Sequence, residues 1–542
     1  MARAFFSVLL VSFGSLGCLT ATAALAPVWG APLRAPATMD IEEYVVDGNS
    51  ALPTEDVEKA VYPFLGPSRS ADSIELARSA LQRLYRDRGY QAVQITTGDK
   101  FPDADGVIHF RVNEVRIGRV RIVGARFFLP SEVRKEMPSI KEGEQFNTVT
   151  LNREINVANS VPGRQVTPIP KPSRVPGILN LDLVVHDQLP VHASVDINNA
   201  HARFSTPLRV TGAASYDNLF QRGQSLSISY ITAPENPNDS KVLILGYRMP
   251  FVGTRYGIHL SAVQSNSTAA TVSATNIISN GTDISVRGTA DLPGTDTYSQ
   301  SVEAGADYKD YRSDTATAGT PVSAVPITYF PLTASYTGIL HNTHDLGITT
   351  LALSLTPPRV GSNRLAIDSN RYLARGQQLY FRGSVDETRT LPADFKLHAR
   401  VTGQVSNEPL ISNEQLPIGG STSVRGYYEV ESPVDNGYNV SVEAISPSFP
   451  DLLATWIDAR DLIDEARVLA FFDQGGGYNR APLPGVSYRS VMASAGISGD
   501  ARLFNRIDAS LSWATPLITD GTNPRVTVAG SHEILFRVLT EY

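Results

Sequence analysis

From Leu189 to Tyr542 the chain consists of short segments in which apolar and polar residues alternate, separated by Gly, Asn, Asp and Pro. A period of two is the signature of a strand, because successive side chains point to opposite faces. Residues 225–230 read Ser-Leu-Ser-Ile-Ser-Tyr, and residues 395–402 carry basic and polar groups on one face only. In residues 438–444, Val440, Val442 and Ala444 oppose Asn439, Ser441 and Glu443. In residues 506–513, Ile507, Ala509, Leu511 and Trp513 share a face. The last segment puts Ile534, Phe536, Val538 and Tyr542 on one face, with Glu533, Arg537 and Glu541 on the other. Helical periodicity nearly disappears across this region, which is therefore expected to be antiparallel β throughout.

Two architectures fit such alternation. A soluble sandwich turns its apolar faces to a core, whereas a membrane barrel turns them to lipid and keeps the polar faces in its lumen. Period alone does not separate the two. The barrel is favoured because the strands are too many for one sandwich, because the N-terminus reads as an export signal, and because the chain ends on a strand with a terminal aromatic. At ~10 residues per strand plus turns and longer outer loops, residues 189–542 suit about sixteen strands.

Composition agrees with this reading without forcing it. The hydrophobic fraction is 42% and the mean hydropathy is -0.11. Beyond residue 25 no run of ~18 apolar residues occurs, so no helix is expected to span a bilayer. The net charge of -7 gives no electrostatic case for nucleic acid. Residues 1–25 read as a signal peptide: Arg3, an apolar core from Phe5 to Leu19, and small residues Ala21, Ala23, Ala24 and Ala26. Pro27 disfavours cleavage directly after Ala26, which places the cut between Ala23 and Ala26. Ser15, three positions before the single cysteine Cys18, argues against lipidation. Loss of Cys18 with the signal leaves no thiol for a disulfide or for catalysis. Residues 26–39 form a short linker.

Between linker and barrel the sequence repeats one order of elements. In residues 40–115, strands are expected at 41–46, 93–97 and 107–112 and helices at 54–64 and 71–88. Ile74, Ala77, Leu81, Leu84 and Tyr85 form the stripe of the second helix. In residues 116–187, strands are expected at 117–123, 165–169 and 178–185 and helices at 130–137 and 148–160. The proline-rich stretch Pro170 to Gly177 reads as irregular. This β-α-α-β-β repeat marks two small α/β domains.

Two motifs stand out in the β region: Val424-Arg425-Gly426-Tyr427 in a Gly-rich stretch, and Phe471-Phe472-Asp473-Gln474-Gly475 at the end of an alternating segment. Leu84-Tyr85 followed by Gly89-Tyr90 ends the long helix of the first repeat. With these motifs in this order, the chain resembles the two-partner secretion transporters, the hemolysin-activator type of POTRA-barrel outer-membrane protein. The likeness covers nearly all of the expected mature chain. It implies a mostly β fold: POTRA domains at 40–115 and 116–187, then a transmembrane antiparallel β-barrel at 189–542 with an inserted loop around 415–432.

The implied function is a pore in the bacterial outer membrane. Its periplasmic POTRA domains capture an unfolded partner exoprotein bearing an N-terminal secretion domain, and the barrel secretes it to the cell surface. Outer-membrane lipid surrounds the barrel. The barrel-assembly machinery reads the last strand through Phe536, Val538 and Tyr542. The alternative within the same superfamily is an assembly factor that inserts other outer-membrane proteins. A diffusion porin would not need the repeats. A secreted β-sandwich enzyme lacks motifs to support it: no phosphate loop, no G-x-S-x-G elbow, and His341 and His344 read as loop residues. No cofactor or metal is implied. The chain departs from the family in two places. The segment before the first domain, with Pro27, Pro32 and Pro36, is too short and broken for the helix that often plugs such pores, and the last residue is Tyr542 where many barrels end in Phe.

The resemblance also implies a site. Val424, Arg425, Gly426 and Tyr427 form the loop tip, Arg425 meets Asp473, and Phe471, Asp473 and Gly475 form the strand side. Alternation puts Phe471 and Asp473 on one face and Phe472 on the other. For client binding, Val93, Ile95, Val107 and Ile108 lie on strands that could offer an edge to an extended peptide, although for any single one of them packing in the domain core is the commoner role.

Overall fold

The computed structural model describes residues 38–542, apart from 99–102, 104, 160, 162, 252, 268–269, 274–275, 279, 313–314, 318–319, 323–324, 451–461, 485–486 and 520–526. The expected signal peptide, its cleavage site and most of the linker lie outside the described residues. The chain divides into two compact units. One holds residues up to 115 together with 145–148, and the other holds 116–144 and 149–542.

In the first unit the strands are β1 (Thr38–Ile41), β2 (Glu43–Asp47), β3 (Gly66–Ser70), β4 (Gln94–Thr97) and β5 (Val107–Asn113), with helices α1 (Thr54–Val61) and α2 (Ala71–Asp87). The sheet order is β2-β5-β4, with β2 parallel and β4 antiparallel to β5. The α2 stripe of Ile74, Ala77, Leu81 and Tyr85 is buried in one cluster with Ile95, Ile108, Phe110 and Val112. Burial of that stripe is what holds an otherwise marginal helix to the sheet. Gly89, with φ +92, turns the chain out of α2. The expected helix 54–64 tightens into a 3-10 turn at Tyr62–Phe64, where Pro63 cannot continue α-helical hydrogen bonding. Sequence reading missed the β1–β3 pair, because Gly66-Pro67-Ser68-Arg69-Ser70 shows no alternation.

Residues 116–187 repeat the order with β6 (Arg116–Val123), α3 (Pro130–Lys135), α4 (Thr148–Asn159), β7 (Arg164–Pro172) and β8 (Ile178–Asp187). The sheet order β6-β8-β7 again combines one parallel and one antiparallel pair. One expectation is corrected: the stretch read as irregular from Pro170 belongs to β7 as far as Pro172. Pro168, Pro170 and Pro172 pair with Leu183, Leu181 and Leu179 in register. Spaced by two, all three point their missing N–H groups to the same side of the strand. β7 is an edge strand, so that side is the outer one, where no ladder bond is lost. Lys171 adds an ion pair to Asp182 at 2.6 Å.

Asp187 ends β8 and caps the turn ahead of α3, accepting N–H bonds from Arg126 (2.8 Å), Phe127 (2.7 Å) and Phe128 (3.0 Å). Burial raises the pKa of this carboxyl, but the Phe127, Arg126 and Phe128 N–H groups outweigh burial and hold it below the usual carboxylate range. Asp187→Ala is expected to loosen this turn by about 2 kcal/mol, measured as faster limited proteolysis between residues 120 and 130.

The rest of the chain closes into an antiparallel barrel of 16 strands. It starts with Val191–Asn198 and ends with Glu533–Glu541. These two strands pair from Asn198↔Arg537 to Ser194↔Glu541. Alternation works as expected: Leu226, Ile228, Val442, Phe472, Trp513 and Val538 are exposed on the outer face. An apolar exterior of this extent belongs in hydrocarbon. In the last strand, Val538 and the following Tyr542 are exposed and Phe536 is half-buried. His341 closes a strand and is not in a loop as expected, while His344 sits in the turn that follows. No described helix is long and apolar enough to cross a membrane. Short turns such as 220–223 and 342–344 fall at the barrel end where the chain enters from β8. Longer loops leave the other end, the longest described being 407–435.

Candidate functional site: a loop folded into the barrel

Residues 407–435 join the strands Lys396–Ser406 and Asn436–Ile445. A loop of this length must satisfy its own backbone and bury its own apolar side chains to hold one shape. It does both. Leu416, Ile418, Val424, Tyr427 and Val434 form a buried cluster with Met492 of the wall. Leu416 and Val434 exchange backbone hydrogen bonds of 2.8 and 2.9 Å, which draws the two limbs together. Gly419 and Gly420 turn the chain at φ +94 and +112. A Cβ on Gly420 would lie 2.4 Å from the Glu429 carboxylate. That carboxylate accepts from the Ser421 N–H (2.6 Å) and hydroxyl (2.7 Å), closing the tip.

Arg425 projects from this tip onto Asp473 in the strand Ile463–Tyr478. Its Nε donates to Oδ2 at 2.7 Å and its Nη2 to Oδ1 at 2.7 Å. Its backbone N–H adds a third bond to Oδ2 at 3.1 Å. The fork is the geometry in which guanidinium and carboxylate bind most strongly. Asp473 is 0% exposed, so its carboxylate is shut off from bulk water, while Arg425 is half-buried at the edge of a cavity. The guanidinium carbon lies 3.6 Å from the centre of the Phe471 ring, a cation–π contact on its free face. The strand's alternation thus supplies both partners from one face and sends Phe472 outward.

The pair is one end of a chain of charges along the inner wall. Arg425 Nη1 reaches Glu443 at 2.8 Å. Glu443 meets His398 Nδ1 at 3.0 Å, and His398 Nε2 meets Asp386 at 3.0 Å. Asp386 accepts from Arg400 Nε at 2.6 Å. Ser441 donates to Asp473 at 2.7 Å and accepts from Arg425 Nη2 at 3.2 Å. These residues occupy inward positions of neighbouring strands, in the registers Ser441↔Asp473, Glu443↔Phe471 and His398↔Glu443.

Gly475 has a different task. A Cβ there would sit 2.6 Å from Asn439 Oδ1, 2.7 Å from Ile418 Cγ2 and 2.9 Å from Val424 Cγ2. Only a glycine lets the loop's apolar cluster lie flat on the wall. Gly496 does the same for the Phe471 ring, whose Cζ would be 2.4 Å from an added Cβ. Gly426, at φ +88, packs on Pro516. Tyr427 is buried and its hydroxyl donates to the backbone oxygens of Ala493 (3.1 Å) and Ile518 (2.5 Å). Beside this tip lies a cavity of about 880 Å³ lined by cations and anions alike, among them Arg425, Glu443, Arg467, Asp500 and Arg537. The lumen is therefore polar.

The structure brings together Val424, Arg425, Gly426, Tyr427, Phe471, Asp473 and Gly475. It does not support the client-binding candidates as a surface. Val93, Ile95 and Ile108 are buried in the core of the first unit, because the strands' apolar face is the one α2 covers, and Val107 is half-buried on the opposite face of β5. Sequence reasoning missed Glu443, His398 and Asp386 as a connected set. The alternation had marked Glu443 and His398 as polar-face residues, but period gives the face and not the partner across strands. It also missed Asp435, which is 0% exposed and holds the root of the loop. Asp435 pairs with Arg371 Nη2 at 2.8 Å and accepts the N–H groups of Leu410 (3.0 Å) and Arg480 (2.7 Å).

The chain is similar in structure to CdiB from Escherichia coli, at a TM-score of 0.62 and 17% identity over 95% of this chain and 93% of that one. It is similar to CdiB from Acinetobacter baumannii at 0.58 and 14%, covering 94% and 90%. BamA from Haemophilus ducreyi lacking POTRA domains 1-3 matches at 0.53 and 14%, covering 93% and 100%. At these identities the likeness shows the fold. No curated protein sequence matches the chain. The family of the ShlB-type POTRA domain matches residues 39–114. The family described as haemolysin secretion/activation protein ShlB/FhaC/HecB matches residues 177–455, more than half of the chain. With a POTRA unit ahead of a closed barrel and a loop bound inside it, the chain belongs to that family, as an outer-membrane two-partner secretion transporter with its POTRA domains in the periplasm.

Proposed function

We propose that this chain exports one dedicated exoprotein: the unit at 40–115 captures the unfolded client, the barrel passes it outward, and the loop 407–435 closes the lumen between clients. The observation that carries this reading is the loop itself, held inside the barrel by the Arg425–Asp473 pair next to a cavity lined by charged side chains. A pore that stays open would leak, and a pore sealed by an apolar plug would bind a polar unfolded chain poorly. A loop attached by a few charged contacts and one small apolar cluster avoids both.

Capture at the first POTRA unit is supported by β4, an edge strand of the first sheet without any proline. In the second sheet the β7 edge carries three prolines that offer no N–H to an incoming strand, which leaves only the β6 edge there. An extended client can add to such an edge through its main chain. The last strand, through its outward Phe536 and Val538 and the terminal Tyr542, is the segment the barrel-assembly machinery would read, and lipid would cover the apolar exterior.

Deleting residues 40–115 is expected to stop secretion while leaving a barrel that still migrates as a folded, heat-modifiable band. Normal secretion from that deletion overturns the receptor role. Removing the whole gene is expected to empty the culture medium of one large protein. A general loss of outer-membrane barrels would mark an assembly factor instead.

A further inference from the structure

We infer that the loop is latched at two separate places, and that Glu414 is the second latch, a positioning residue that must release its partners before the lumen opens. The inference rests on the pore reading above. Glu414 is 3% exposed. Its Oε1 accepts from Lys309 Nζ at 2.7 Å and from the Tyr329 hydroxyl at 2.7 Å. Its Oε2 accepts from the Tyr380 hydroxyl at 2.6 Å. Its backbone oxygen accepts from Arg382 Nη2 at 3.0 Å and from Gln404 Nε2 at 3.1 Å. The adjoining Ile411 packs with Tyr311, Tyr329 and Ile367.

The partners place this contact away from the first one. Lys309 stands on the strand Tyr298–Tyr311 and Tyr380 on Leu379–Thr390, to one side of the loop's root. Arg425 binds to Asn436–Ile445 and Ile463–Tyr478, on the other side. The loop therefore reaches out in both directions from its root between residues 406 and 436. A carboxylate with this many donors is held in one position, and a single missing partner leaves the others buried and uncompensated.

Two latches on one loop reinforce each other. While Glu414 is held, Arg425 stays close to Asp473 at an effective concentration on the order of millimolar, so a broken contact re-forms. The same holds in reverse. Opening thus requires both to part within one event, and breaking either alone yields brief openings.

Purified full-length protein in planar lipid bilayers tests this. Arg425→Ala and Glu414→Gln singly are expected to give short openings. Together they are expected to raise open probability at least about tenfold beyond the sum of the single effects. A double variant no more open than that sum overturns the latch. Should Glu414→Gln lose its heat-modifiable band, the charge swap Lys309→Glu with Glu414→Lys decides instead. Closure restored by the swap relative to Glu414→Lys alone supports the latch, and an equally open swap overturns it. Deleting 410–432 separates the two readings. Steady conductance from the deletion together with additive single variants leaves the pore standing and removes the latch, whereas a silent deletion removes both.

Discussion

Asp473→Arg is expected to stop secretion, and adding Arg425→Asp to restore part of it. In the native pair, Asp473 takes three N–H bonds from Arg425, two from the guanidinium and one from the backbone, and a fourth contact from Ser441. Removing one partner of such a buried pair costs about 3–5 kcal/mol, because the other charge stays behind without compensation. Reversal is worse than removal: it sets two guanidinium groups against each other at a buried position of the wall. The loop tip must then leave the wall, and the lumen loses its ordered closure.

The double swap rebuilds one ion pair but not the native site. An Asp at 425 cannot cover the Phe471 ring, its backbone N–H loses its carboxylate acceptor, and it stands beside Glu443, which Arg425 now neutralises at 2.8 Å. Rescue is therefore partial, and Glu443→Gln in the swapped background is expected to improve it. Secretion is read as partner protein in the medium, with heat-modifiable migration as the check that the barrel has folded. Full secretion from Asp473→Arg alone overturns the role of the pair.

Much of this fold was legible because a barrel strand states its faces in every second residue. Order alone groups Phe471 with Asp473 on one face and sets Phe472 on the other, while the resemblance supplies which face is inward, and the α2 stripe of the first POTRA unit predicts its buried face. What failed had no periodic signal to carry it. β3 is a short edge element of Gly, Pro, Ser and Arg. β7 continues through Pro172 only because its outer edge needs no donors, a fact that depends on sheet order. Val93, Ile95 and Ile108 could not be sorted between core and surface without knowing which face α2 covers. The charges of the site divide the same way. Arg425 and Asp473 belong to recognisable motifs. Glu414, Asp435, Glu443 and His398 become partners through register and loop path, which a single sequence does not contain.

Gly475→Val is expected to expel the loop from the barrel without unfolding the barrel. The strand accepts valine readily, since β-branched residues suit a pleated wall. The new side chain has no room on its inner face, where even a Cβ meets Asn439 Oδ1 at 2.6 Å, Ile418 Cγ2 at 2.7 Å and Val424 Cγ2 at 2.9 Å. Strand pairing on both sides, Asn439↔Gly475 and Gly475↔Met492, fixes the backbone, so the wall cannot yield. Overpacking of this kind costs about 1–3 kcal/mol where a core can adjust. Here the movable part is the loop, and its displacement also breaks the Arg425–Asp473 pair. The expected result is new protease cleavage between residues 410 and 432 in intact cells, together with loss of secretion. Gly499→Val serves as the control, because nothing lies within 4 Å of a Cβ at that position, and it is expected to behave as the native protein does. Ile418→Ala in the Gly475→Val background removes one of the three clashes and is expected to slow the cleavage. A protected loop in Gly475→Val would mean that the motif's glycine serves the strand and not the loop that rests on it.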